Sequence, residues 1–71
     1  MNLYDVVALL DDLPTEGLKR GQVGTIVEEW QTDIYEVEFA DTKGVTYAMI
    51  ALRTDQLMIL YWHPDSTRQS A

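Results

Sequence analysis

The chain has 71 residues, with 12 acidic and 5 basic side chains, a net charge of −7 and no cysteine. That length holds one domain around one core; the missing cysteines exclude disulfide staples, and a single histidine leaves no set of zinc ligands. A field of this sign repels phosphate backbones and anionic membrane surfaces and draws in basic partners.

No segment approaches the length of a membrane span, and the start, MNLYDVVALLDD, has no basic region ahead of its apolar run. The expectation is a cytoplasmic protein. A domain this small buries little surface, so it needs either a dense core or burial against another chain. Hydrophobic residues make up 46% of the chain, and Trp30, Trp62 and the four tyrosines are the bulkiest material for such a core.

In chain order, Leu3, Val6, Val7 and Leu10 fall at helical spacing, with Asn2 placed to cap. Val6 to Leu10 is also a short apolar run closed by acidic residues and Pro14, and that closure predicts a strand, preceded at most by one helical turn. Asp11 to Arg20 follows as a long exposed loop, with turn chemistry at Pro14 and Gly17. Gly21 to Val27 then predicts a strand entered through a tight turn and bent by a bulge at Gly24. Its two glycines do not make a phosphate loop, because no lysine-serine/threonine pair and no helix come after them.

Ile34 to Phe39 alternates strictly. Tyr35, Val37 and Phe39 share one face, and Ile34, Glu36 and Glu38 the other, which is the period of a half-buried strand. Gln31-Thr32-Asp33 joins it to the strand before. Asp41 to Gly44 leads into the next, Val45 to Leu52, with Gly44 where φ needs most freedom. Arg53 to Gln56 forms a 3₁₀ turn ahead of a last strand, Leu57 to Tyr61. The sum is a mostly β fold, a five-stranded SH3-like barrel spanning residues 1–62, with residues 63–71 as a polar mobile tail. An OB-type barrel needs longer strands and a helix for which there is no room.

The segments Tyr4 to Leu10, Asp12-Leu13-Pro14, Gly17-Leu18, Arg20 to Val27, Tyr35 to Phe39 and Asp55-Gln56-Leu57 together resemble small bacterial proteins of the domain of unknown function 4926 family. The resemblance spans roughly residues 3 to 60 and implies the SH3-like fold and a bacterial origin; it implies no activity. A fainter similarity, carried by Gly21 to Val27, is to the KOW-type SH3-like units of ribosomal and transcription proteins. Those bind RNA through basic residues, whereas here Lys19 and Arg20 stand nearly alone and Glu28 and Glu29 follow at once.

No catalytic, cofactor or metal-binding constellation is legible, so a non-enzymatic role is expected. The candidate partner-binding residues form two groups. The first is acidic. Glu29 faces Glu36 if the hairpin loop has two residues, Glu28 faces it if three, and Glu38 extends the row; Lys43 or Arg53 is placed to neutralise part of it. The second group is Leu57, Ile59, Leu60 and Trp62, in a last strand apolar on both faces. Either the N-terminal segment covers that strand or it pairs with another chain. The functional expectation is a protein-interaction module that binds a protein partner or itself, of which an acidic antitoxin or immunity protein is a concrete version. The alternatives are a KOW-like nucleic-acid-binding unit and an accessory subunit of an enzyme.

Overall fold

The computed structural model describes residues 1–61, so the expectations for Trp62 and for the tail at 63–71 lie outside the described residues. Five strands follow in order: β1 (Val6–Leu9), β2 (Val23–Gln31), β3 (Ile34–Ala40), β4 (Thr46–Arg53) and β5 (Leu57–Ile59). Single 3₁₀ turns sit at Pro14–Glu16 in the first loop and at Thr54–Gln56 before β5. All pairings are antiparallel, in the order β4-β3-β2-β1-β5. This is the five-stranded SH3-like arrangement that the sequence predicts, left open: β4 and β5 are the two edges, with no ladder joining them.

The core lies inside the fold of this one sheet. Val7, Ile26, Val37 and Phe39 are fully buried, joined by Leu9, Leu18, Tyr35, Leu52 and Leu57. The alternation in β3 produces this directly: its inward residues Tyr35, Val37 and Phe39 are all buried. Burying one such side chain contributes about 1.5–3 kcal/mol, so the three are worth as much as many small domains have in net stability.

β2 belongs to both halves of the sheet. It pairs with β1 through Val23, Gly24 and Thr25 and with β3 from Thr25 onward. The expected bulge at Gly24 is absent. An added Cβ there would meet Val37 Cγ1 at 2.7 Å, Glu38 O at 2.9 Å and Phe39 Cδ1 at 3.0 Å, so the glycine lets β2 cross close over β3. The irregularities fall later, between Ile26 and Glu28 and between Glu29 and Gln31, where β2 carries one residue more than β3. Those extra residues are Val27 and Trp30.

The ends of the chain segments follow their local chemistry. Ahead of β1 there is a turn rather than a helix. Tyr4 has φ 70°, and Asp5 accepts the Asn2 amide at 2.8 Å, so the aspartate and not the asparagine does the capping. The first loop is more ordered than its composition suggests. Leu13 and Leu18 exchange backbone hydrogen bonds of 2.8 and 3.1 Å around the 3₁₀ turn, which sets Leu18 into the core. In the β3–β4 turn, Asp41 Oδ1 accepts the amides of Lys43 at 2.8 Å and Val45 at 3.0 Å, and Gly44 takes φ 82° as expected.

Candidate functional site

Residues directly opposite one another in an antiparallel pair share a face, so the register fixes which side chains meet on the outer surface. The β2–β3 loop has two residues, Thr32 and Asp33, with Asp33 at φ 70°. A regular two-residue hairpin would bring Glu29 opposite Glu36. The extra residue at Trp30 shifts the ladder by one, so Glu28 faces Glu36 and Glu29 faces Tyr35. Of the two registers the sequence leaves open, the one with Glu28 beside Glu36 forms, and a bulge rather than a longer loop produces it.

Glu28, Glu36 and Glu38 thus share the outer surface of β2 and β3. Glu36 is flanked on β4 by Ala51, and Glu38 by Met49. The indole Nε1 of Trp30 donates to Glu36 Oε1 at 2.6 Å, and Thr46 Oγ1 donates to Glu38 Oε2 at 2.8 Å. Both partners are neutral, so the charge of the row is retained. Among the described residues no lysine or arginine pairs with these glutamates: Arg53 is tied to Asp55 at 3.0 Å instead. Lys43 sits in the β3–β4 turn, where the contact it makes is through its backbone amide to Asp41. Neither Lys43 nor Arg53 forms the expected ion pair with the row.

Of the bulky aromatic residues that composition offers for a core, Tyr35 is buried but Tyr4, Tyr47 and Tyr61 are exposed, and so is Trp30, which is 58% exposed and lies against the acidic row. Its signal was available in its neighbours: a tryptophan between two glutamates and a turn has no apolar alternation to carry it inward. Glu29 stands apart from the row, at the mouth of the core. There, burial and the adjacent Glu29 carboxylate push the Tyr35 phenol above its usual pKa, and the phenol O–H donates to the Met1 carbonyl at 3.1 Å.

The second candidate group is divided. Leu57 is 4% exposed and packs in the core, and Ile59 packs against that core, so neither presents a docking surface; both point to the inner face of the sheet, opposite Leu9 and Val7. The two-sided apolar pattern has a simple origin. β5 is an edge strand whose inward residues fill the core, while its outward Met58 lies beside Ala8, itself beside Val23. Met58 is 50% and Val23 47% exposed. Leu60, half-buried, donates its amide to the Val6 carbonyl at 2.8 Å and so continues the β1–β5 ladder past the strand's end. The N-terminal segment therefore pairs with β5 through β1 but does not cover its outer face.

Two other features bear on function. Lys19 and Arg20 are exposed at the end of the first loop, but the Arg20 amide is held by the Asp12 carboxylate at 2.9 Å, so the short basic stretch is interleaved with acid. Among the described residues no three acidic or histidine side chains converge as metal ligands would, and no helix is long and apolar enough to cross a membrane.

The family profile described as a domain of unknown function, DUF4926, matches residues 3–59, which covers all five strands. No curated protein and no solved structure matches the chain.

Proposed function

The chain belongs to the DUF4926 family, and we propose that it acts as a non-enzymatic protein-interaction module whose outer β2–β3–β4 surface binds a basic protein. The observation that carries this reading is the row Glu28, Glu36 and Glu38, paired with no cation among the described residues and bordered by the exposed Trp30. Like charges placed directly opposite cost about 0.2–1 kcal/mol, and a basic partner removes that cost on binding. An exposed tryptophan adds a flat surface on which an arginine guanidinium can stack, and tryptophan is among the residues that dominate binding energy at interfaces. Charge of one sign across the surface also steers a basic partner to it.

The narrower version is an acidic antitoxin or immunity protein that masks the basic active site of a toxin, in a bacterial cytoplasm. A second reading, an accessory subunit docked on a larger protein, draws on the apolar outer row of Ala8, Val23 and Met58. The two separate in one experiment. Extract from the native cell is passed over the immobilised protein, over a Glu28→Gln/Glu36→Gln/Glu38→Gln variant and over Met58→Asp. Under the leading reading the partner is lost in the triple variant and at high salt but retained by Met58→Asp. The opposite pattern favours the accessory-subunit reading, and recovery on all three surfaces sinks both.

A further inference from the structure

From the open edge of the sheet we infer that β4 is a docking edge for an extended, arginine-bearing segment of the basic partner, which adds to the sheet as a sixth strand; this rests on the acidic-face reading and specifies how the partner engages it. β4 pairs with β3 along its length and ends the sheet, and among the described residues no other element packs closely along its far side. Natural edges of this length are usually protected by proline, lysine or a covering loop. Over Thr46–Arg53 there is no proline and no lysine, and the one charged residue, Arg53, is already paired with Asp55.

The side chains on this edge fit one kind of strand. On the inner side, Ile50 is only half-buried although its β3 partner Val37 is fully buried, so the core is unfinished there. An apolar residue on an added strand would complete it. On the outer side, Ala51 lies between the edge and Glu36, with Glu28 and Trp30 just beyond. Neighbouring strands are about 4.8 Å apart, so an added residue opposite Ala51 sits roughly 10 Å from Glu36. A long cationic side chain lying over the alanine methyl spans that gap. Met49, one position away on the same face, is bulky and blocks the equivalent path to Glu38. The recognised pattern is therefore a basic residue opposite Ala51, followed by an apolar one beside Ile50. Arginine suits it better than lysine, because its planar group can pair with a carboxylate and stack on an indole together.

The test uses the whole protein and a synthetic seven-residue peptide alternating arginine and valine, titrated while Trp30 emission and backbone amide shifts are followed. Two further peptides carry N-methyl groups on one or the other set of alternate residues, and a fourth replaces arginine with glutamate. The expected result is binding by the arginine peptide, at least tenfold weaker binding with one N-methylated form but not the other, none with the glutamate peptide, and shifts concentrated in β4. Ala51→Arg, at an exposed position, weakens binding at least tenfold while its thermal midpoint stays near that of the parent. Equal binding by both N-methylated forms overturns the added strand yet leaves the acidic-face reading standing. Absence of arginine-peptide binding overturns the inference, while the extract experiment decides the acidic face independently. A dimer formed through β4, seen as concentration-dependent sedimentation abolished by the same substitution, assigns the edge to a second copy and overturns it as well.

Discussion

Trp30 and Glu36 are joined by a 2.6 Å hydrogen bond from indole to carboxylate, and the bond exists because Trp30 is the extra residue of a bulge. Without that bulge β2 would present Glu29 to Glu36, and the indole would fall opposite Tyr35. One irregularity thus sets three features of the surface: the tryptophan outside, Glu28 paired with Glu36, and Glu29 turned towards Tyr35.

The Glu28–Glu36 pair is the first feature open to measurement. Removing one of two opposed charges relieves repulsion, and the Trp30 bond to Glu36 survives the change at Glu28. Glu28→Gln is expected to stabilise the isolated protein by about 0.2–1 kcal/mol, with the gain shrinking as salt is added. Urea unfolding at low and high salt checks it; a destabilised Glu28→Gln would mean that Glu28 makes a favourable contact instead.

Gly24 and Phe39 test the crossing of β2 over β3. A methyl group at Gly24 would sit 2.7 Å from Val37 Cγ1 and 2.9 Å from a backbone oxygen, and the backbone cannot give way cheaply. Gly24→Ala is expected to cost about 1–3 kcal/mol through overpacking. Phe39→Ala, which empties the centre of the core, is expected to cost about 3–5 kcal/mol and to leave little folded protein. Thermal and urea midpoints measure both, and an unchanged midpoint for either would contradict the packing described.

Much of this core was legible in the sequence. The alternation of Tyr35, Val37 and Phe39 and the placement of Gly44 fixed β3 and its turn to within a residue, because period and turn chemistry are local. The 3₁₀ turn before β5 was legible for the same reason. The bulges at Val27 and Trp30 were not, since neither residue carries the glycine that often marks a bulge, and the glycine that suggested one, Gly24, serves a close approach between strands distant in the chain. The exposure of Trp30 and the burial of Leu57 are hidden from the sequence on the same ground. Which face a side chain takes after a bulge, or in a strand of three residues, is decided by pairing with other strands, and composition carries no record of that pairing.

Tyr35 gives the fold a pH dependence on the alkaline side. Its phenol is buried beside Glu29, so the folded protein holds the proton more tightly than the unfolded chain, whose value is 10.0. Below that pH both states are protonated and the contribution of Tyr35 is fully present. As pH rises past it the unfolded chain ionises first, and stability falls until the folded phenol titrates too. Tyr35→Phe removes this dependence and also the hydrogen bond to Met1, so it is expected to be less stable than the parent near neutral pH. Urea midpoints for both proteins from pH 7 upward are expected to converge as the solution becomes alkaline. Parallel curves would show that Tyr35 titrates alike in both states.

The KOW-type similarity of Gly21 to Val27 raises nucleic acid as a partner. Phosphate binding of any strength requires several cations acting together, each adding to the salt dependence. Here Lys19 and Arg20 stand at the end of a loop that also carries Asp11, Asp12 and Glu16, and Asp12 already holds the Arg20 amide at 2.9 Å. The strand that follows leads into Glu28 and Glu29, and the outer face of β2 and β3 carries the row Glu28, Glu36 and Glu38. Titration of labelled single- and double-stranded DNA and RNA at low salt is expected to show no saturable binding in the micromolar range. Binding that weakens steeply with salt and disappears in Lys19→Ala/Arg20→Ala would reverse this, and would place the working surface of the protein on its first loop rather than on the face that carries Trp30 and Glu36.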